Sequence, residues 1–347
     1  MANKSGRRGN NVVTIREVAR HAGVSPMTVS RVVNGESNVR EPTRIKVAAS
    51  IKALNYSPNL AARSLASADA IRIALLYSNP SAAYLSEFLV GSLEQSSLSG
   101  CQLLIEKCDG FKSELAAIDK LLAAGADGVI LPPPLCDSEV ALKALEAAGT
   151  LAVAVATGRQ TDDLSAVRID DYEAARVMTR HLLSLGHRDI ALIKGHPNQT
   201  ASHRRELGFR AAMQEAGVQV AEDRVAQGYF TYHSGLDAAE ALLKAASRPT
   251  AIFASNDDMA AATVALAHRL GLDVPRDLTV VGFDDTALAS TVWPTLTTVR
   301  RPIADMARAA VILLIEQIRR RRAGLPPEVA HRVLDFTLVE RDSTAAR

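Results

Sequence analysis

"TIREVARHAGVSPMTVSRVVNG" (residues 14–35) holds two helix starts within a dozen residues. Thr14, followed three positions later by Glu17, has the spacing of a capping box, in which side chain and backbone satisfy each other's free donors. Ile15, Val18 and Ala19 then recur at helical spacing. Gly23 is placed to end that helix in the left-handed conformation that glycine adopts without strain. Ser25 is a good N-cap, and Pro26 suits the first helical position, where no N–H is needed. Val24, Val29 and Val32 fall toward a core, which leaves Met27, Thr28, Ser30 and Arg31 on the opposite side. A third helix is predicted over 42–54, with Ile45, Ala48, Ala49 and Ile51 inward. Two short helices crossing at a glycine turn, packed on a third, predict a helix-turn-helix. The second helix of such a unit enters the DNA major groove by its N-terminal end.

Short side chains on that helix allow close approach to base edges. Thr28 and Ser30 can bond phosphates or bases, Met27 can touch a thymine methyl, and Arg31 can reach guanine or a phosphate. Thr14, Ser25, Pro26 and Asn34 complete the candidate contacts of the head. An ordinary solvated helical hairpin would share the caps, so charge has to decide. Residues 1–64 carry eleven Lys and Arg against three acids, a head of +8. The whole chain is only +2, so the remainder is −6. A basic head on an acidic body marks a polyanion-binding module joined to a body that is not one.

The rest of the composition limits the alternatives. A chain of 347 residues with 48% hydrophobic and 4% aromatic residues suits a multidomain, Ala/Val/Leu-rich α/β protein. No apolar run reaches membrane-spanning length, and no apolar stretch follows the basic N-terminus as a signal peptide would require. Cys101, Cys108 and Cys136 are an odd number without metal-ligand spacing and read as reduced thiols. There is no nucleophile elbow, P-loop or chelating pair. The expectation is a cytoplasmic, nucleoid-associated protein with no enzymatic activity, no metal and no cofactor.

In "NYSPNLAARSL" (55–65), Tyr56 is placed to pack on the third helix, and Pro58 breaks the chain. Asn59 can cap, and 60–65 can form a helix too short to stand alone. With these residues the sequence resembles the lac-repressor (LacI/GalR) family of bacterial transcription regulators. The resemblance rests on "TIREVARHAGVSPMTVSRVVNG" and "NYSPNLAARSL" and continues at similar spacing to the C-terminus. It implies that the hinge helices of two subunits pair in the minor groove, with Asn59, Ala62 and Arg63 against DNA and Leu65 as a wedge between base pairs. Plain packing against the body is the alternative for Leu65.

From residue 71 the sequence alternates. Apolar runs near 71–78, 101–108, 126–134, 150–157, 187–195, 250–256 and 277–285 read as buried strands. Helical stretches read over 81–99, 113–124, 138–148, 171–185, 202–216, 233–246 and 257–270. Such alternation predicts parallel sheets covered by helices, and the number of elements predicts two lobes. The resemblance implies the bilobed periplasmic-binding-protein-like fold. The expected fold class is therefore an all-α helix-turn-helix head plus an α/β bilobed body. The expected divisions are a basic tail 1–11, a head 12–57, a hinge 58–69, a body 70–341 and a tail 342–347. Within the body, the first lobe takes 70–169 and 299–327, and the second takes 170–298 and 328–341.

Ligands of open α/β sheets bind at the carboxyl ends of the strands. The candidates there are Ser78, Asn79, Tyr84, Leu85, Thr157, Arg159, Arg205, Phe230, Asn256 and Asp284. Arg, Asn, Asp and an aromatic ring converging on a cleft can bind a polyol. The resemblance carries ligand contact specifically to Arg205, Phe230, Asn256 and Asp284. Asp257 reads equally as a helix cap, Phe230 as lobe core, and His187 as structural. Ala156 and Thr157 stand where many family members have Asp, and Arg159 follows, which keeps a sugar acid or sugar phosphate open beside a neutral sugar. A purine-type corepressor is the runner-up, since Tyr84 could stack on a base; a sugar-transport protein is the third reading. The expected partners are near-palindromic operator DNA, a small effector and a second copy of the chain.

Overall fold

The computed structural model describes residues 13–33, 39–54, 56, 70–108, 113–159, 163–245, 247–326 and 328–347. The chain divides into two compact units, Met1–Ala70 and Ile71–Arg347.

In the first unit, α1 (Ile15–Ala22), α2 (Pro26–Val33) and α3 (Glu41–Ala53) pack on one another. The Glu17 carboxylate accepts from both the Thr14 N–H, at 2.7 Å, and the Thr14 hydroxyl, at 2.9 Å. Gly23 ends α1 in the left-handed region at φ 62°. Val18, Ala19, Ala22, Val29 and Val47 form the small core, with Val24, Val32, Ile51 and Tyr56 packed around it. The inward face of α3 differs from the expected one. Ala48 and Ala49 are exposed, and so is Ile45, at 62%. Val47 and Ser50 point inward instead. Ser50 tolerates burial because its hydroxyl donates to the Lys46 carbonyl and also meets His21 Nδ1, at 2.9 and 3.0 Å. A satisfied hydroxyl costs little to bury, so apolarity alone misassigns this helix.

The second unit has two lobes. Its elements run β1 (Arg72–Tyr77), α4 (Ala82–Ser99), β2 (Gln102–Lys107), α5 (Glu114–Ala123), β3 (Gly128–Leu131), α6 (Glu139–Ala147), β4 (Leu151–Val155) and β5 (Ser165–Arg168). The chain then continues through α7 (Asp171–Ser184), β6 (Ile190–Lys194), α8 (Thr200–Glu215), β7 (Val225–Gln227), α9 (Tyr232–Leu243), β8 (Ala251–Ala254) and α10 (Asp257–Arg269). It closes with β9 (Thr279–Val281), α11 (Ala287–Thr291), β10 (Thr298–Arg300), α12 (Ile303–Arg322), β11 (His331–Val333) and β12 (Thr337–Val339).

Among the described residues, the first lobe is a parallel sheet in the order β11-β5-β4-β3-β1-β2, and the second is a parallel sheet in the order β7-β6-β8-β9. A short antiparallel pair, β10 with β12, joins them. One face of the first sheet is covered by α4 and α12, and the other by α5 and α6. The core cluster that holds Ile73, Phe88 and Leu314 continues without a break to Leu192, Phe209 and Phe283 of the second lobe.

Two expected boundaries are corrected. Residues 328–341 do not all belong to the second lobe: β11 adds to the first sheet beside β5, with Leu334 N–H donating to the Arg168 carbonyl at 2.8 Å. The third crossing therefore falls after β11 rather than near 327. "HRV" is a half-exposed edge strand of three residues and has no apolar run to announce it. Nor is 342–347 a free tail. Ser343 is fully buried, its hydroxyl donates to the Val280 carbonyl at 2.6 Å, and Val280 N–H donates to the Ser343 carbonyl at 3.0 Å. His187 Nε2 meets the Ala345 carbonyl at 3.1 Å, and Nδ1 meets Thr250, so this histidine ties the C-terminus to the second lobe. The longest helix, α12, lies beyond the strand–helix series read from the sequence.

At Gly91 of α4, any Cβ would overlap the Ala304 carbonyl of α12. Gly91→Ala is expected to force the two helices apart and to destabilise the body by about 1–3 kcal/mol, the usual cost of overpacking. Urea unfolding of the purified protein, compared with the parent at equal m-value, checks this.

Candidate functional site

In the head, α2 presents Ser25, Pro26, Met27 and Arg31 to the exterior, with Met27 63% exposed. Ser25 caps the helix by accepting from Thr28 N–H at 3.1 Å, and its hydroxyl also meets that of Thr28 at 2.9 Å. Thr28 and Ser30 are half-buried. Thr14, at the start of α1, is exposed, with its hydroxyl engaged by Glu17. Asn34, Asn59, Ala62, Arg63 and Leu65 lie outside the described residues.

In the body, parallel strands deliver their carboxyl ends to the crevice between the lobes. Asn79, Tyr84, Arg205, Phe230, Asn256 and Asp284, six of the ten sequence candidates, line one pocket together with Ser81, Gln199 and Arg301. The backbone is strained where it enters this pocket. Ala156 (φ 59°), Phe230 (φ 61°), Asp284 (φ 112°) and Asp285 (φ 58°) are the non-glycine residues with positive φ among the described residues, and all lie at or just beyond strand ends. Strain of this kind persists only where surrounding structure enforces it, and it concentrates at binding sites. The Phe230 ring also needs Gly195, because a Cβ there would overlap the ring.

Two buried ion pairs underlie the pocket, of which Arg205, Asp284 and Arg301 line it and Asp171 pairs with Arg205 outside the lining. Arg205 Nε donates to Asp171 Oδ1 at 2.8 Å, and both side chains are almost fully buried. Its guanidinium lies 3.7 Å from the centroid of the Phe283 ring, and the Ser255 carbonyl accepts from it as well. Arg301 donates to Asp284 Oδ1 at 2.7 Å, and its guanidinium lies 4.8 Å from the centroid of Tyr84. Burial pushes the Asp284 carboxyl above its ordinary pKa, and the two guanidiniums pull it back. Burial opposes the Arg301 charge most strongly, but Asp284, Tyr84 and Asp171 together outweigh it and raise the pKa. The Tyr84 phenol is pushed up by burial and is neutral throughout the physiological range. Three buried atoms here have no partner: Tyr84 Oη, Asp171 Oδ2 and Arg301 Nε.

The lobes also touch directly. The Ser81 hydroxyl donates to Asp258 Oδ2 at 2.7 Å. Asp137 accepts from the Thr157 hydroxyl of its own lobe at 2.7 Å and from Thr200 N–H of the other at 2.8 Å. Gly158 N–H donates to Thr200 Oγ1 at 2.7 Å. The inner pocket consequently keeps about 20 Å³, room for a water molecule or so.

Four candidates do not join that floor. Thr157 is consumed by Asp137, as just described. Arg159 turns toward the same carboxylate, with Nε 3.8 Å from Asp137 Oδ1, and does not line the pocket. Leu85 is half-buried on α4 and faces elsewhere. Ser78 lines a neighbouring chamber instead. Asp257, offered as a cap or a ligand, is a fully buried anchor: it accepts from Thr298 Oγ1 at 2.7 Å and from Thr286 N–H at 2.8 Å. Sequence reasoning missed Arg301, Asp171, Gln199 and Ser81. Asp171 follows a run, "SAVRID", that carries only a weak strand signal.

The comparisons with known proteins match both units. Residues 14–59 fit the model of the bacterial regulatory proteins of the lacI family, and 179–344 fit the periplasmic binding protein-like domain. Catabolite control protein A of Priestia megaterium is 34% identical over 89% of this chain and 93% of its own length. The chain belongs to the LacI family of bacterial regulatory proteins. As a LacI-family member it is a DNA-binding transcriptional regulator with a ligand-binding domain. The regulator DegA of Bacillus subtilis is 37% identical over 84% of this chain and 88% of its own. Among solved structures, the lac repressor dimer bound to operator and the anti-inducer ONPF superposes with TM-score 0.77 at 28% identity, covering 96% of this chain and 99% of the other. The complex of the regulator CelR with cellobiose gives 0.73 at 31% identity, covering 95% and 99%.

Removing one member of a buried pair strands the other charge. Asp284→Asn, which preserves shape but not charge, is expected to destabilise the body by about 3–5 kcal/mol. Denaturant unfolding measures this, and Thr157→Ser, which keeps the hydroxyl, serves as a near-neutral control.

Proposed function

We propose that this regulator is a homodimeric repressor of carbohydrate-use genes, released from or held on a near-palindromic operator by a neutral polyhydroxylated ligand in the crevice. The observation that carries the ligand class is the set of unpartnered atoms on the pocket floor. Arg301 Nε requires an acceptor, and the Tyr84 hydroxyl is free to donate or accept. A hydroxyl supplies both roles, whereas a phosphate or carboxylate supplies acceptors only. Each guanidinium is already matched by a carboxylate, so the floor has no surplus positive charge for an anion. Arg159, the residue that favoured a sugar acid, is committed to Asp137. Stacking of a purine on Tyr84 is disfavoured, because that ring already packs against Phe88 and under the Arg301 guanidinium.

The head reading rests on Met27 and Arg31, exposed on a helix of a basic unit. Thr28, Ser30, Ser25 and Thr14 would then hold phosphates and set the register. The dimer reading is supported by apolar residues exposed along α4 and the edge strand β2: Val90 at 49%, Leu93 at 51%, Leu98 at 81% and Ile105 at 43%. An open edge strand with an apolar flank is a surface that a partner covers. A two-fold dimer presents the same helix twice and so reads a near-palindrome. Residues 58–69, with Leu65, would form the hinge that the effector controls.

The test uses DNA selected from a random-sequence pool by the purified protein. Arg31→Ala is expected to weaken binding to that DNA by about 1–3 kcal/mol, the worth of a guanine contact, in fluorescence anisotropy. Neutral sugars are expected to raise the melting temperature of the full chain where matched sugar acids and sugar phosphates do not. Unchanged affinity would remove Arg31 from the interface, and stabilisation by anions alone would overturn the ligand class.

A further inference from the structure

The first lobe concentrates cations at the pole opposite the crevice. The strands β1, β3 and β4 run parallel and begin at Arg72, Gly128 and Leu151, so their amino ends gather there. The helix α12 ends at that pole with four consecutive arginines, Arg319 to Arg322. Arg322 donates to both oxygens of Asp127 at 3.0 Å, and Arg72 N–H donates to the same carboxylate at 2.8 Å. Arg321 donates to the carbonyls of Gly149 and Asp127 at 3.0 and 2.7 Å, bonds that orient its guanidinium and leave its charge unmatched. Arg320 pairs with Glu328, whose side chain is 64% exposed. Arg319 is exposed and makes no hydrogen bond or ion pair among the described residues. Five guanidiniums thus meet two carboxylates in ion pairs, which leaves three charges unmatched. Residues 65–347 as a whole stand at −6, so this pole has the opposite sign to its body. Helix capping accounts for part of the cluster only. A cation in the last turn offsets the macrodipole. Four in a row stand about 100° apart, so they ring the helix end, and those turned to water repel one another. The chain also enters the body at this pole, since Arg72 lies two residues beyond Ala70, where the first unit ends. Sixteen residues of chain lead from Tyr56 to Arg72 and span at most about 58 Å, whatever their conformation. DNA held by the head is therefore kept at roughly millimolar effective concentration around these arginines, where weak contacts count.

We infer that this arginine pole is a second DNA-binding surface of the chain: Arg319, Arg320 and Arg321 take backbone phosphates of the duplex outside the base pairs that the head reads. This rests on the head being the DNA-binding unit and adds a contact that carries no sequence information. A guanidinium fork matches phosphate oxygens, and the exposed pair with Glu328 is weak enough for Arg320 to exchange it for a phosphate. The crevice lies at the other ends of the same strands, so this surface is separate from the ligand site.

The test measures the affinity of the full chain for selected DNA, by anisotropy, over a series of salt concentrations. Each phosphate contact contributes about 0.9 to the slope of log affinity against log salt. The double variant Arg319→Gln/Arg320→Gln is expected to have a slope shallower by about 1.8 per bound chain and to lose at least about tenfold in affinity at 0.1 M salt. Selected and scrambled duplexes are expected to weaken by the same factor, since phosphates are the same in both. Arg319→Lys/Arg320→Lys, which keeps the charges, is expected to restore the slope. Arg248→Gln/Arg276→Gln makes the same charge change on exposed residues just ahead of β8 and β9, at the far pole of the second lobe, and is expected to leave the slope as it was. Arg319→Gln alone, whose side chain has no partner to lose, is expected to show half the change and guards against a fold defect in the double variant. Slopes equal to the parent's in the Gln variants at residues 319 and 320, or an equal fall in the second-lobe control, would overturn the surface while leaving the head reading intact. A parent chain with no salt-dependent affinity for any selected DNA would overturn both.

Discussion

Two guanidinium–carboxylate pairs buried between the lobes constrain everything else in the body. Arg205 with Asp171 belongs to the second lobe, while Arg301 with Asp284 sits where β10 crosses toward α12. Charges of this kind are tolerated out of water only when geometry and further hydrogen bonds compensate them. That compensation fixes Ser255, Phe283 and Tyr84 around them. It also leaves Tyr84 Oη and Arg301 Nε, on two residues that line the pocket, without partners. The same arrangement that holds the lobes therefore defines what can bind between them.

A ligand acts on such a system only through a difference in its affinity for two states. The structure shows one of them, a crevice bridged by Ser81–Asp258 and Asp137–Thr200. Opening removes both contacts and exposes the polar floor. A ligand in the crevice that forms its own bonds to both lobes would stand in for those bridges. Its effect on DNA binding is then a coupling free energy, typically 1–3 kcal/mol.

Much of this was legible in the sequence, for physical reasons that vary by element. Thr14, Glu17, Gly23 and Ser25 are local signals, and local hydrogen bonds realise them. Buried parallel strands such as "RIALLY" and "AIFA" carry continuous apolar runs, since helices cover both faces. The strands β7, β10, β11 and β12 are three residues long and partly exposed, so they carry no such run. Ser50 and Ser343 are buried through satisfied hydroxyls, which hydropathy cannot register. In the pocket, Asn79 and Asn256, just beyond the apolar runs of β1 and β8, were found, whereas Arg301 follows a strand too short to read. Thr157 and Arg159 sit at the right strand end but are claimed by Asp137, a residue of a single-turn helix at Leu135–Asp137. Pairings across lobes of that kind depend on tertiary placement and leave no trace in spacing.

The central claim is that the state of the crevice sets the affinity of the head for DNA. The most direct measurement joins the lobes chemically at the Ser81–Asp258 bridge. Ser81→Cys and Asp258→Cys, in a Cys101→Ser background, are linked by a short bis-thiosulfonate, and affinity for selected DNA is read by anisotropy before and after reductive release. The account predicts that linked and released protein differ by at least about fivefold, the lower end of ordinary allosteric coupling. Equal affinity in the two states, with the link verified by mass, would contradict it.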